Sequence, residues 1–178
     1  IKTAPFNRYQ TIDVVRAVIN SKRNEEISLY TGNDDNIVFD LITPYRFLVN
    51  DQIKEKKIVG GLLGHYSVWT KKSVELFHFI KNGINNSTLN YEEILKIAVE
   101  ITDMNGAIFD VAHNFRGSIS GIHEILRRQG LLEGIWCLNP NEKLSDGQVE
   151  EIDRVTNQYK RWIDDDYVKS FIANDICH

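Results

Sequence analysis

The sequence predicts an α/β fold, with strand–helix units in its first half and helices alone in its second. Three observations predict it. Short apolar strands open at Ile1, Ile27 and Ile58. Helical spacing or helix-capping residues follow them, which is the pattern of a parallel sheet with helical crossovers. After about Asn90 the strand pattern stops, and only helical apolar stripes remain.

In order along the chain, Ile1-Lys2-Thr3-Ala4 is an apolar strand stub that carries one amine. Residues 11–20 set Ile12, Val15, Val18 and Ile19 on one helical face. A polar connector, 21–26, leads to a strand at 27–30. The turn Thr31-Gly32-Asn33-Asp34 supplies backbone freedom and side-chain caps. Residues 36–42 read as a short helix that Pro44 stops. A charged stretch, 51–57, approaches a glycine-rich strand at 58–64. Residues 69–82 read as a helix with Val74, Phe77 and Ile80 inward and Gly83 as its stop. Residues 82–90 are a polar loop.

The second half starts with Asn90 and Glu93 at capping-box spacing. Ile94, Ile97, Ala98 and Ile101 give that helix its apolar stripe. Ile119, Ile122, Ile125 and Leu126 make another, ended by Gly130. Ser145 and Gln148 cap a last strong helix through Val149, Ile152 and Val155. The organisation expected is therefore strand–helix over 1–89 and a helical extension over 90–178.

Composition narrows the function classes. A length of 178 residues suits one domain. Hydrophobic content of 42% and charged content of 26% are those of a folded globular chain, not a disordered one. A net charge of −4 with no basic face argues against nucleic acid as a partner. Lys71-Lys72 and Arg127-Arg128 read as solvated helix faces. No apolar run approaches the roughly 20 residues a membrane span needs, so no membrane is expected. Cys137 and Cys177 are too few for a disulfide scaffold, and reduced thiols of a cytoplasmic protein are expected. His78, His113, His123 and His178 lack metal-ligand spacing, so no metal is expected. Trp69, Trp136 and Trp162 are scattered, as packing or interface residues are.

Three strand–helix units cannot close a barrel, which needs eight strands. Yet Ile1-Lys2-Thr3-Ala4, Tyr30-Thr31-Gly32-Asn33-Asp34-Asp35 and Gly60-Gly61-Leu62-Leu63-Gly64 follow each other in a telling order. In that order and separation the chain resembles the C-terminal half of the dihydrodipicolinate synthase / N-acetylneuraminate lyase family, class I aldolases on a (β/α)8 barrel. The three motifs resemble the family's sixth strand, the turn after its seventh, and its eighth strand. Residues 139–148 resemble the loop and cap before the family's last long helix. The resemblance implies a partial (β/α)8 barrel over 1–89 with the extension packed on it. The chain departs from the family at the longer connector 21–26, at the longer, more charged segment 43–57, and at His65 and Tyr66. These departures bear on the substrate more than on the fold.

The resemblance also implies a chemistry. Lys2 would be the nucleophile, forming an imine with pyruvate or another 2-oxo acid and needing no separate cofactor, or else a strand-end lysine reaching solvent. Such a lysine must lose a proton that free lysine holds to a pKa of about 10.4, and burial in an apolar barrel lowers that value. Gly32 would let the backbone approach the keto acid at the C-terminal rim. Leu62 and Leu63 would line the floor, or pack the core. His65 would contact the aldehyde partner, or cap the strand end. The family's proton-relay tyrosine and carboxylate-holding hydroxyls would precede Ile1, so the N-terminal half of the same protein is an expected partner and the isolated chain is expected to be inactive. A homo-oligomer is expected on the same ground. The alternative is a non-catalytic member that binds a sugar acid or serves as an oligomeric scaffold.

Overall fold

A computed structural model of the chain describes residues 1–61 and 64–176. Its elements are β1 (Lys2–Thr3), α1 (Arg8–Asn20), β2 (Leu29–Thr31), α2 (Ile37–Ile42), β3 (Tyr45–Val49), β4 (Gln52–Lys56) and β5 (Ile58–Gly61). There follow α3 (Thr70–Asn85), α4 (Tyr91–Ile108), α5 (Ser118–Arg128), α6 (Gln148–Gln158) and α7 (Asp165–Phe171). The protein is α/β. Strands β1, β2 and β5 form one sheet in that order, and both pairings are parallel. The described residues close no barrel.

Contacts divide the chain into two compact units. The first is Ile1–Leu63 with Phe77–Thr102, and the second is Gly64–Leu76 with Asp103–His178. The boundary expected at Asn90 falls inside the first unit.

In the first unit, Asn7 starts α1, its side chain accepting from Tyr9 N at 3.0 Å and Gln10 N at 3.3 Å. The helix therefore begins before residue 11, because a capping side chain precedes the first apolar repeat. Val15, Val18 and Ile19 are buried on its inner face, with Leu29, Ile37, Val38, Leu41 and Ile58 from the strands and α2. On α4, the cap is Asn90 Oδ1, which accepts from Glu92 N at 3.0 Å and Glu93 N at 3.2 Å. Its stripe Ile94, Ile97, Ala98 and Ile101 is buried.

The segment before β5 differs from a bare charged approach. It is a hairpin, β3 against β4, antiparallel from Tyr45↔Lys56 to Val49↔Gln52. Asn50 and Asp51 make its turn with φ of 49° and 60°. Two left-handed residues in succession match the twist of flanking strands, so a two-residue turn fits. The consecutive charges Lys54, Glu55, Lys56 and Lys57 mask the strand pattern. Arg46 and Glu55 face each other across the ladder, joined at 2.8 Å. The Arg16 guanidinium of α1 stands 5.2 Å from the centre of the Phe47 ring.

Helix α3 also departs from expectation. It continues to Asn85, past Gly83. Gly83 is a site of close approach: a Cβ there would stand 2.4 Å from Leu89 Cδ2. Its buried residues are Ser73, Leu76 and Ile80, while Val74 is exposed.

The second unit packs Val68, Trp69, Met104, Ile108, Phe109, Ile125, Ile152 and Val155 into a core. On α5, Ile125 is buried, Ile122 and Leu126 pack at the margin, and Ile119 is exposed. Gly121 lets α5 approach the end of α4, since a Cβ there would meet Ile108 O at 2.0 Å. Gly130 follows α5 with φ 79°, as a helix-stopping glycine does. Of the capping pair before α6, Ser145 N donates to Gln148 Oε1 at 3.1 Å, but the Ser145 hydroxyl turns to Asp110 instead.

Candidate functional site

Lys2 pairs directly across the sheet with Tyr30, and Tyr30 with Gly60. In parallel strands, partners in register project to the same side. The opposite side carries Thr3, Leu29 and Thr31, all buried. Lys2 and Tyr30 are exposed. Two glycines floor this open face. A Cβ on Gly32 would stand 2.5 Å from Lys2 Cε, 2.8 Å from Ala4 Cβ and 3.4 Å from Lys2 Nζ. The lysine therefore lies across Gly32, in space that only glycine leaves free. A Cβ on Gly60 would stand 2.7 Å from Tyr30 Cε1, so the phenol ring lies across Gly60 in the same way.

The structure thus brings Lys2 and Gly32 together. Leu62 and Leu63 lie outside the described residues. His65 belongs to the short turn Gly64–Ser67 after β5. The next residue, Tyr66, has its phenol pushed up to about 12 by burial. Tyr30 was not singled out by sequence reasoning; the parallel register with Lys2 is what identifies it.

Behind the floor sits a polar network that the sequence did not flag. Asp40 of α2 is fully buried. Its Oδ2 accepts from Thr31 Oγ1 at 2.5 Å and from Asn33 Nδ2 at 2.9 Å. Its Oδ1 accepts from Arg8 Nη1 and, at 3.2 Å, from the Tyr45 hydroxyl. Arg8 also donates to Thr43 Oγ1 at 3.2 Å and stacks 5.5 Å from the Tyr45 ring centre. Asn33 Nδ2 also reaches Thr11 Oγ1 at 3.2 Å, and Asn33 Oδ1 accepts from Phe6 N at 3.1 Å. Burial pushes the Tyr45 phenol up, and the Asp40 carboxylate adds to that. Beside the network is a cavity of about 350 Å³, with Arg8, Thr11, Asn33 and Asp35 among its lining residues. Burial raises the Asp35 carboxyl above its ordinary value. The one signal for Asp40 was an acid inside the apolar run Ile37-Val38-Phe39-Asp40-Leu41-Ile42, since acids are rarely buried unless paired.

The second unit has its own polar centre. Asp110, left-handed at φ 57°, holds His113 Nδ1 at 2.6 Å, Gly117 N at 2.9 Å and Ser145 Oγ at 2.5 Å. Burial works to raise the Asp110 carboxyl, but those bonds outweigh it and hold the group below the usual carboxylate range. A cavity of about 580 Å³ lies beside it, lined by Asp103, His113, Glu150 and Arg154 among others. Cys137 Sγ is 3.9 Å from His123 Nδ1, and burial raises its thiol pKa, which does not favour a reactive thiolate. Among the described residues, no group of three or more His, Cys, Asp or Glu is placed to hold a metal, and no helix is long and apolar enough to cross a membrane. Comparison with family models, with curated proteins and with solved structures finds no match.

Proposed function

We propose that the protein is a Schiff-base-forming aldolase or lyase acting on pyruvate or another 2-oxo acid, with Lys2 as its nucleophile. In this reading β1, β2 and β5 are the last three strands of a (β/α)8 barrel, and strands beyond this chain complete it. The observation that carries the reading is the seat of Lys2. A primary amine stands on the first of three parallel strands, laid over a glycine that no side chain can replace without collision. Imine formation needs a carbonyl carbon to approach the amine nitrogen, and the exposure of Lys2 leaves that approach free.

The steps follow from the amine. Lys2, once it has given up a proton, adds to the C2 carbonyl, and the resulting hydroxyl leaves as water once protonated. The iminium then draws electrons from the bond at C3, so that a carbon–carbon bond there can form or break. The imine is itself the electron sink, so the reading calls for no separate cofactor. Tyr30 places a hydroxyl on the same open face; the substrate-binding roles of Leu62, Leu63 and His65 remain those the resemblance implies. A cytoplasmic homo-oligomer is part of the same reading.

The test is borohydride trapping. The protein with its barrel completed, incubated with pyruvate and reduced, should carry the reduced adduct on Lys2, located by peptide mass mapping, and Lys2→Ala should carry none there. A parent protein without adduct on Lys2 overturns the assignment. The exposure of Lys2 favours one rival, a non-catalytic protein that binds a sugar acid or scaffolds an oligomer. Undiminished sugar-acid binding by Lys2→Ala, with no turnover in the parent, selects that rival.

A further inference from the structure

We propose that Asp40 is a positioning residue for Lys2, acting through Thr31 and Asn33 to fix the glycine on which the lysine lies. The inference rests on the reading of Lys2 as the imine-forming amine. Gly32 stands between two residues whose side chains end on the same carboxylate oxygen, Asp40 Oδ2, at 2.5 Å from Thr31 Oγ1 and 2.9 Å from Asn33 Nδ2. Asn33 N donates back to Thr31 Oγ1 at 3.1 Å, which closes the turn on itself. The turn is also tied to the lysine's own strand. Gly32 N donates to Thr3 O at 2.8 Å, and Phe6 N donates to Asn33 Oδ1 at 3.1 Å. One buried charge thus governs the height of the floor beneath Lys2.

A carboxylate is needed there because the neighbours that reach Asp40 are all donors: Thr31, Asn33, Arg8, Tyr45 and, at 3.5 Å, Asn36. An amide would turn an NH2 toward at least one donor and lose an acceptor. A buried ion pair contributes little net stability over a well-packed apolar one, and its better use is to hold one arrangement among several. Here the arrangement held is a tight one. The Lys2 methylene lies where a Cβ of Gly32 would stand, so the position of the turn sets the surface on which the amine rests.

The test compares Thr31→Val, Thr31→Ser and Asp40→Asn with the parent, by the rate of adduct formation on Lys2 at saturating pyruvate and by the half-saturating pyruvate concentration. All are measured below their thermal unfolding midpoints. Thr31→Val and Asp40→Asn should slow the saturated rate about tenfold, with the half-saturating concentration moving less than about threefold, and Thr31→Ser should restore the rate. A purely structural role predicts lower midpoints with an unchanged rate per folded molecule. A folded Thr31→Val that traps at the parent's rate overturns the proposal, and decides the matter alone if Asp40→Asn does not fold. No adduct on Lys2 in the parent overturns the Lys2 reading and this proposal together. An adduct in the parent with no rate change in Thr31→Val overturns this proposal only.

Discussion

At Gly32 the missing side chain makes room for Lys2, whose methylene occupies the volume a Cβ would take. Gly32→Ala would set a methyl 2.5 Å from Lys2 Cε and 2.8 Å from Ala4 Cβ. The lysine end can swing away, so the fold should survive while the amine leaves its seat. Adduct formation on Lys2 should fall by about tenfold or more, with the far-ultraviolet spectrum unchanged. Gly60→Ala meets only the Tyr30 ring, at 2.7 Å, and should leave trapping within about threefold of the parent. Equal losses in both variants would mean that Gly32 has no special relation to the amine. Lys2 and Gly32 were each singled out in the sequence by their own motif, but that the lysine lies across the glycine follows from the strand register. Tyr30 and Asp40 were not singled out. Tyr30 depends on a strand register that no local pattern encodes, and Asp40 looks like any acid until the donors from Arg8, Thr31, Asn33 and Tyr45 converge on it.

Among the elements, the helices were readable from apolar spacing, but their inner faces were less so. On α3, Val74 and Leu76 are both apolar, and only tertiary packing decides that Leu76 is buried and Val74 exposed. Gly83 looked like a stop signal because a glycine inside a helix usually weakens it. Its reason is the close packing of Leu89, whose Cδ2 would stand 2.4 Å from a Cβ at Gly83, a contact made after the chain turns back. The β3–β4 hairpin was hidden for a different cause. Lys54, Glu55 and Lys56 read as a solvated run, whereas Glu55 pairs across the ladder with Arg46 and Lys56 donates to Asn24 O at 2.5 Å. Its turn gives a direct prediction. Asp51 holds φ 60°, and the second residue of such a turn is best filled by glycine. Asp51→Gly, giving the favoured Asn-Gly pair, should stabilise the protein by about 0.5 kcal/mol, read as a raised thermal midpoint. Asp51→Val should lower the midpoint, because a branched side chain resists left-handed backbone.

At the scale of the molecule, alternation of strand and helix sufficed for an α/β assignment, because a parallel pair needs a long crossover and only helices supplied one. The division into units was not readable. It cuts through α3 and α4, and no turn or composition change marks a boundary inside a helix. The two units should answer acid differently. In the second unit Asp103 is held below its ordinary pKa by Arg154, and Glu124 by Arg127 and Arg128. Asp110 is held low by Ser145, His113 and Gly117 against its burial. Groups depressed in the folded state contribute stability that is fully present above their unfolded values, about 4, and is lost as pH falls through the lower folded ones. In the first unit Glu55 is held low by Arg46 and Lys57, but in a largely exposed pair that contributes little, and Asp35 is raised by burial, which has the opposite sign: its contribution is present below the unfolded value and is lost as pH rises through the folded one. Lowering the pH from about 6 to about 3 should therefore loosen the second unit first. Hydrogen exchange should show amide protection falling in α5 and α6 while β1, β2 and β5 remain protected. Asp103→Asn, which removes one depressed carboxylate and its bidentate pairing with Arg154, should flatten the acid dependence of the second unit and lower its stability at neutral pH. Simultaneous loss of protection in both units, or an acid dependence unchanged by that substitution, would show that these carboxylates do not set the order of unfolding.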